Sequence, residues 1–194
     1  LHVVIDPGHG AATYLSKELF ERLGATVDTI NAAPDGRNIN LHCGSQHLDS
    51  LRARVLETSA DLGVAFDGDA DRAMFVAPSG ATIDGDAVLL IAGRWLMQTK
   101  GATEVVATVM SNIGLQVALA KHGISMVRTP VGDKYVLEEM VKRGAHLGGE
   151  QSGHIIFRDY ATTGDGLLTA LRICQIMREC AQSLDQLVQE LKIF

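Results

Sequence analysis

Cysteine is scarce. The 194 residues hold three, Cys43, Cys174 and Cys180, with no CxxC pair and no even set for a disulfide framework. That usage fits a reducing compartment, and a cytoplasmic location is the expectation. Basic charge is short as well: 17 Lys and Arg against 23 Asp and Glu leave a net charge of -6. No basic stripe is available for nucleic acid, and attraction to an anionic membrane surface is weak. No apolar run reaches the roughly 18 to 20 residues that a membrane-spanning helix needs. The opening Leu1-His2-Val3-Val4-Ile5 has no methionine, no basic n-region and no cleavage site. It reads as a strand, and the chain reads as a piece of something longer.

What is present is an ordinary globular composition, 46% hydrophobic and 21% charged. At about 150 residues per domain, this length makes one large domain or two small ones with real cores. Strand-like and helix-like segments alternate throughout, the pattern of an α/β fold. Strands are expected at Val3 to Ile5, Ala25 to Ile30, Gly63 to Phe66, Ala73 to Ala77, Val105 to Val109 and Ile124 to Arg128. Helices are expected over about Thr13 to Leu23, Leu48 to Ser59, Asp86 to Gln98, Leu115 to Lys121, Lys134 to Lys142, Asp165 to Arg178 and Ser183 to Leu191. The second half repeats the order of the first: Asp61-Leu62-Gly63 leads into one polar loop and His146-Leu147-Gly148 into another. Two related α/β domains follow, 1–84 and 85–194, each a mixed, mostly parallel sheet layered between helices. The two polar loops then lie at equivalent strand ends, where open α/β sheets bind ligands.

The first loop is Asp67-Gly68-Asp69-Ala70-Asp71-Arg72. Three carboxylates on alternate residues repel one another at the end of a buried-looking strand, and a divalent cation would neutralise them. Hard oxygen donors suit Mg²⁺ or Ca²⁺. An EF-hand is excluded, because Arg72 stands where that loop needs glycine and Pro78 where it needs a bidentate glutamate. A solvated acidic turn is the plainer alternative. Arg72 adds a guanidinium fork that, with a cation, suits a phosphoryl group; plain charge balance would also explain it.

The second loop, Gly148-Gly149-Glu150-Gln151-Ser152-Gly153-His154, lets backbone approach a ligand and offers an acceptor and a donor suited to vicinal hydroxyls. A simple polar turn is the alternative. A third cluster, Thr129-Pro130-Val131-Gly132-Asp133-Lys134, could hold an anion on free amides and Lys134, or could be an Asp133 N-cap with Lys134 solvated.

Val4-Ile5-Asp6-Pro7-Gly8-His9-Gly10 resembles the opening zinc motif of N-acetylmuramoyl-L-alanine amidases, with His42 and either Glu18 or Glu21 as further ligands. Against it, the next helix starts too soon, an export signal is missing, and both later loops stay unexplained. His9 reads better as a loop residue facing the cleft.

The loops together resemble the α-D-phosphohexomutase superfamily across essentially the whole chain, as its second and third domains of four. The resemblance rests on Asp67 to Arg72, on Gly149 to His154, and on Pro34-Asp35-Gly36 through Asn38-Ile39-Asn40 to Cys43-Gly44-Ser45, which tilts it toward the glucosamine branch. It implies that Asp67, Asp69 and Asp71 bind Mg²⁺ and that Arg72 contacts the phosphoryl group or its serine carrier. Glu150 and Ser152 would bond the sugar hydroxyls, with His154 nearby, and Lys134 would face the cleft as a proton carrier or phosphate contact. The implied reaction converts a hexosamine 6-phosphate into the 1-phosphate through a phosphoserine and a bisphosphorylated intermediate. A phosphomannomutase or phosphoglucomutase of the same superfamily, or a non-catalytic sugar-phosphate-binding fragment, are the alternatives. Departures are plain: no Thr-Ala-Ser-His-Asn-Pro-like serine loop and no Arg-x-Ser-Gly-Thr-like phosphate loop occur here. The implied partners are a phosphosugar and flanking domains of the same chain, with this piece inactive alone. Ala70 stands where many relatives have glycine.

Overall fold

The computed structural model describes residues 1–194. Two sheets form. The first uses β1 (His2–Asp6), β2 (Thr26–Thr29), β3 (Leu62–Phe66), β4 (Ala73–Val76) and β5 (Thr82–Ile83) in the order β2-β1-β3-β4-β5. The second uses β6 (Glu104–Thr108), β7 (Ser125–Thr129), β8 (Leu147–Gly149) and β9 (Ile155–Phe157) in the order β7-β6-β8-β9. In each, the first three strands run parallel and the third turns back into an antiparallel fourth. The repeated order that the sequence suggests is therefore a repeated topology, with β5 added to the first sheet.

The helices are α1 (Ser16–Arg22), α2 (Asp49–Thr58), α3 (Gly85–Lys100), α4 (Ile113–Ala120), α5 (Asp133–Arg143), α6 (Gly166–Cys180) and α7 (Leu184–Leu187). Alternation along the strands decides which helices meet which face. Val3, Ile5, Val64, Phe66 and Phe75 of the first sheet, and Val105, Ala107, Leu147, Ile155 and Phe157 of the second, point inward to one continuous core. That core also takes Phe20 of α1, Leu115 and Leu119 of α4, Ile173 of α6 and the stretch Ala87–Ala92 of α3. Val4, Ala65 and Val76 point the other way, onto Leu51 and Val55 of α2. Val106 and Ile156 likewise meet Val136 and Met140 of α5. The result is five layers, with α2 and α5 outside, a sheet beneath each, and α1, α3, α4 and α6 between the sheets.

The central position of α3 explains its composition. Buried residues occupy it almost all round, and away from its ends the one charged side chain is Arg94, paired with Glu190 at 2.8 Å. Asp84 caps its start by accepting a hydrogen bond from the Ala87 N–H at 3.1 Å, and Gly101 ends it in the left-handed region. Asp165 caps α6 through the Leu168 N–H at 2.9 Å.

Three segments differ from expectation. The helix expected from Thr13 opens as a 3-10 turn at Ala11–Tyr14 and becomes α-helical only from Ser16. Ala11 donates its N–H to Gly68 O at 2.9 Å, so the start of the segment is drawn toward the acidic loop instead of winding regularly. β9 is a strand that sequence reading passed over: three residues are too few to show a period, although all three are buried. The last helix closes after four residues, not at Leu191, although Ser183 and Gln186 give it a full capping box. The tail instead runs to α4, where Phe194 donates its N–H to Asn112 Oδ1 at 3.3 Å and Asn112 Nδ2 donates to Phe194 O at 3.1 Å.

Candidate metal centre and adjoining glycine-rich loop

The acidic loop joins β3 to β4, and the glycine-rich loop joins β8 to β9, the same step in both sheets. The structure draws them together. Ala73, which follows the acidic loop, donates its N–H to Gly153 O at 3.1 Å, and Arg72 pairs with His154 in an isolated antiparallel bridge. Gln151 donates from Nε2 to Asp84 Oδ2 at 3.2 Å, and Gly85 N–H bonds Gln151 O at 3.0 Å. One composite site results.

Within it, Asp67, Asp69 and Asp71 each offer an oxygen, and these three oxygens all lie within 4.8 Å of one another. No other group of three His, Cys, Asp or Glu side chains converges in this way. Asp67 is the inner member. Its Oδ1 accepts the Arg72 N–H at 3.1 Å, which closes the loop on itself. Burial, and then the neighbouring Asp71 carboxylate, push its pKa up to about 6. Asp71 Oδ1 is buried without a hydrogen-bond partner. Crowded hard-oxygen donors, one with a raised pKa and one with an orphaned oxygen, fit a divalent cation such as Mg²⁺. Arg72 leans over the group, its Nε 3.7 Å from both Asp67 Oδ2 and Asp71 Oδ1.

The loop rests on a foundation that sequence reading missed. Asp6 is fully buried, and its carboxylate accepts the Gly8 N–H at 2.9 Å, the Gly44 N–H at 3.1 Å and Asn31 Nδ2 at 2.9 Å. Burial raises the Asp6 pKa, opposed by these three bonds. The segment that Asp6 gathers lies beneath the acidic loop: a Cβ on Gly10 would sit 2.5 Å from Gly68 O, closer than real atoms pack. The Pro7–Gly10 run that resembled a zinc motif is thus a close-packed support. His9 Nδ1 accepts the Ala33 N–H at 3.2 Å, His42 stacks edge-on against His47, and Glu18 pairs with Arg22. The amidase alternative is corrected on this ground. From the far side, α6 supplies its Gly166 N–H to Ala70 O at 2.9 Å, and a Cβ there would meet Arg72 O at 2.6 Å.

The second loop splits its residues. Glu150 is half-buried, and its Oε1 accepts the Gly132 N–H at 3.1 Å, tying the loop to the third cluster. Ser152 is exposed and makes no hydrogen bond. His154, expected near the sugar, is 3% exposed, with Nε2 3.6 Å from Asp71 Oδ2. It faces the acidic loop because the strand pairing that starts at Ile155 turns it inward. Lys134 is not drawn into the composite site either: its side chain is 74% exposed and its ion pair is with Glu138, one turn along its own helix, at 3.9 Å. No helix of the chain is long and apolar enough to cross a membrane.

Comparison with known proteins supplies the family. Residues 1–80 match the family described as phosphoglucomutase/phosphomannomutase, alpha/beta/alpha domain II, and residues 84–194 match its alpha/beta/alpha domain III. A phosphoglucosamine mutase of Solibacter usitatus is 58% identical over the whole of this chain, which spans 44% of that protein. A phosphoglucomutase/phosphomannomutase family protein of Burkholderia thailandensis, at 28% identity, superposes with a TM-score of 0.88 over 99% of this chain and 43% of that one. An N-acetylphosphoglucosamine mutase of Aspergillus fumigatus, described in complex with GlcNAc-6P and magnesium, shares the fold at 17% identity, with a TM-score of 0.79 over 99% of this chain and 46% of that one. The chain therefore spans less than half the length of these three relatives, and it belongs to the phosphoglucomutase/phosphomannomutase family.

Proposed function

We propose that this chain forms the two central domains, 1–84 and 85–194, of a hexosamine phosphomutase that interconverts the 6-phosphate and the 1-phosphate. The observation that carries this reading is the joining of the acidic loop to the glycine-rich loop of Glu150 and Ser152 by main-chain hydrogen bonds, Ala73 N–H to Gly153 O above all. A phosphosugar bound across such a junction places its phosphoryl group and its ring on chemically suited surfaces. The 58% identity to a phosphoglucosamine mutase supports the hexosamine as substrate.

Asp67, Asp69 and Asp71 would hold Mg²⁺, and the magnesium described in the Aspergillus relative supports that choice. When bound, the ion neutralises charge that spreads over the phosphoryl oxygens during transfer. Arg72 contributes guanidinium donors to the same oxygens or to their serine carrier. Glu150 and Ser152 bond the ring hydroxyls. Ser152 is free to do so, and Glu150 keeps Oε2 free while Oε1 remains on Gly132. Recognition through paired hydroxyls suits a sugar that must bind in two orientations, once for each phosphate. The phosphoserine that gives its phosphoryl to the sugar, and receives the other one back, would come from a flanking domain, as would the distal phosphate clamp. Lys134 would carry a proton or contact phosphate only by swinging away from Glu138.

The test is an assay of the full-length chain on glucosamine 6-phosphate, mannose 6-phosphate and glucose 6-phosphate. The reading expects glucosamine 6-phosphate to give the highest kcat/KM. Preference for mannose or glucose 6-phosphate transfers the chain to the neighbouring branch, and no turnover of any of the three, with a serine loop present upstream, refutes the mutase reading.

A further inference from the structure

The two sheets repeat each other beyond their strand order. Ala25 donates its N–H to Phe20 O at 3.1 Å and so closes α1; Ile124 closes α4 through Leu119 O at the same 3.1 Å. Thr26 N–H then bonds Leu1 O at 2.9 Å, and Ser125 N–H bonds Thr103 O at 2.8 Å. Leu1 thus corresponds to Thr103, Val3 to Val105 and Phe20 to Leu119. In the second sheet α3 fills the corner that Val105 and Leu119 make: a Cβ on its Gly93 would lie 3.0 Å from Val105 Cγ2 and 3.2 Å from Leu119 Cδ2. In the first sheet the same corner, Val3 and Phe20, is the floor of a groove of about 640 Å³ between α1 and α6. Leu1 and Leu23 also line it and are 36% and 60% exposed. The opposite wall is α6, where Leu168, Leu171, Gln175 and Arg178 recur at the spacing of a single helix face. Such a face is what a second helix packs against.

We propose that the residues immediately before Leu1 in the full-length chain form an amphipathic helix that lies in this groove, as α3 lies against the second sheet. Connection fixes the occupant. α3 is the element that leads into β6, ending at Lys100 and reaching Thr103 through Gly101 and Ala102; the upstream residues lead into β1 in the same way. The chain spans 44% of the Solibacter usitatus protein, so the full-length chain has residues to supply such a helix. The inference rests on the reading of this chain as the central part of a longer protein, and not on the reaction. Its consequence is a physical link: the upstream helix would seat the preceding domain against α6, whose Gly166 N–H bonds Ala70 O of the acidic loop.

The experiment uses the full-length chain carrying L23C, labelled with N-ethylmaleimide and read by mass spectrometry of the peptide that contains the new thiol. A leucine as exposed as Leu23 is here should become a cysteine that reacts about as fast as glutathione. Under the inference the upstream helix covers it, so labelling is at least about tenfold slower than that of glutathione and does not depend on protein concentration. A rate near that of glutathione overturns the inference, and so does protection that disappears on dilution, which would make the occupant a second copy. Hydrogen exchange of the wild-type full-length chain is the second measurement, and it decides alone should L23C not fold. The residues before Leu1 should exchange as slowly as those of α3; fast exchange there overturns the inference even where L23C is protected. Neither readout uses turnover, so a failed mutase assay leaves this inference standing, and its failure leaves the mutase reading in place.

Discussion

The β3–β4 and β8–β9 loops occupy the same step of the same topology, yet they are built in opposite ways. The first is closed and charged: Asp67 bonds the N–H of Arg72 within the loop, and a glycine support and the start of α6 press on it from two sides. The second is tied at its base and open at its tip, with Glu150 latched to Gly132 and Ser152 free. Preorganised, crowded carboxylates suit a hard cation, which rewards fixed geometry. An open tip suits a ring that must enter, turn and leave. A duplicated scaffold can thus diverge in chemistry through its loops while strand order and core stay alike.

If that contrast is right, losing a carboxylate from the first loop should abolish metal binding, and losing the Glu150 or Ser152 side chain from the second should leave it intact. The largest expected effect is from D69N, which removes one anionic ligand from an exposed position. It should lower Mg²⁺ affinity by two orders of magnitude or more in calorimetry and abolish turnover in the full-length chain. Next comes G10A. Its Cβ cannot fit against Gly68, so thermal unfolding should show a loss of about 1 to 3 kcal/mol, as overpacking usually costs, with metal affinity falling in parallel. E150A should reverse the pattern: sugar-phosphate affinity in the full-length chain drops at least tenfold, the melting temperature moves little, and Mg²⁺ binding is unchanged. Loss of Mg²⁺ binding in E150A would erase the distinction between the loops.

A pH dependence sharpens the comparison further. Burial and Asp71 raise the Asp67 pKa to about 6, so the folded state holds this proton more tightly than the unfolded chain does. Without a cation, the stability from that proton is present at acid pH and is lost as pH rises through about 6. With Mg²⁺ the sign reverses, because the ion must displace the proton. Apparent Mg²⁺ affinity should fall about tenfold between pH 7 and pH 5, and the rise in melting temperature on adding Mg²⁺ should shrink accordingly. The smallest expected effect belongs to A70G. Ala70 sits at φ +62°, in the left-handed region that disfavours a side chain; glycine there should stabilise the protein by about 0.5 to 1 kcal/mol without altering metal affinity.

Much of this was legible in the sequence, and the reason is local. Asp67, Asp69 and Asp71 alternate just after an apolar strand, and Gly148 to Gly153 flank a lone glutamate and serine, so both loops announce themselves over a few residues. The repeated strand order shows in the same way. What stayed hidden depends on contacts between distant residues. Asp6 and Gly44 are 38 positions apart, and nothing near either shows that one caps the other. The Pro7–Gly10 run carries a visible glycine signal, but its meaning as a support appears only once Gly68 lies against it. The burial of His154 comes from Gly164 and from the three-residue strand β9, too short to leave a period. The cleft-facing role of Lys134 came from the family resemblance alone; its side chain is exposed and pairs with Glu138 one turn along its own helix.

The central claim is that the three aspartates gather one divalent ion at the junction of the loops. Anomalous diffraction from crystals of this chain grown with Mn²⁺ tests it directly. The account predicts a single strong manganese peak bonded to oxygens of Asp67, Asp69 and Asp71, beside Arg72. A peak elsewhere, or three carboxylates turned apart with no ion between them, would contradict it.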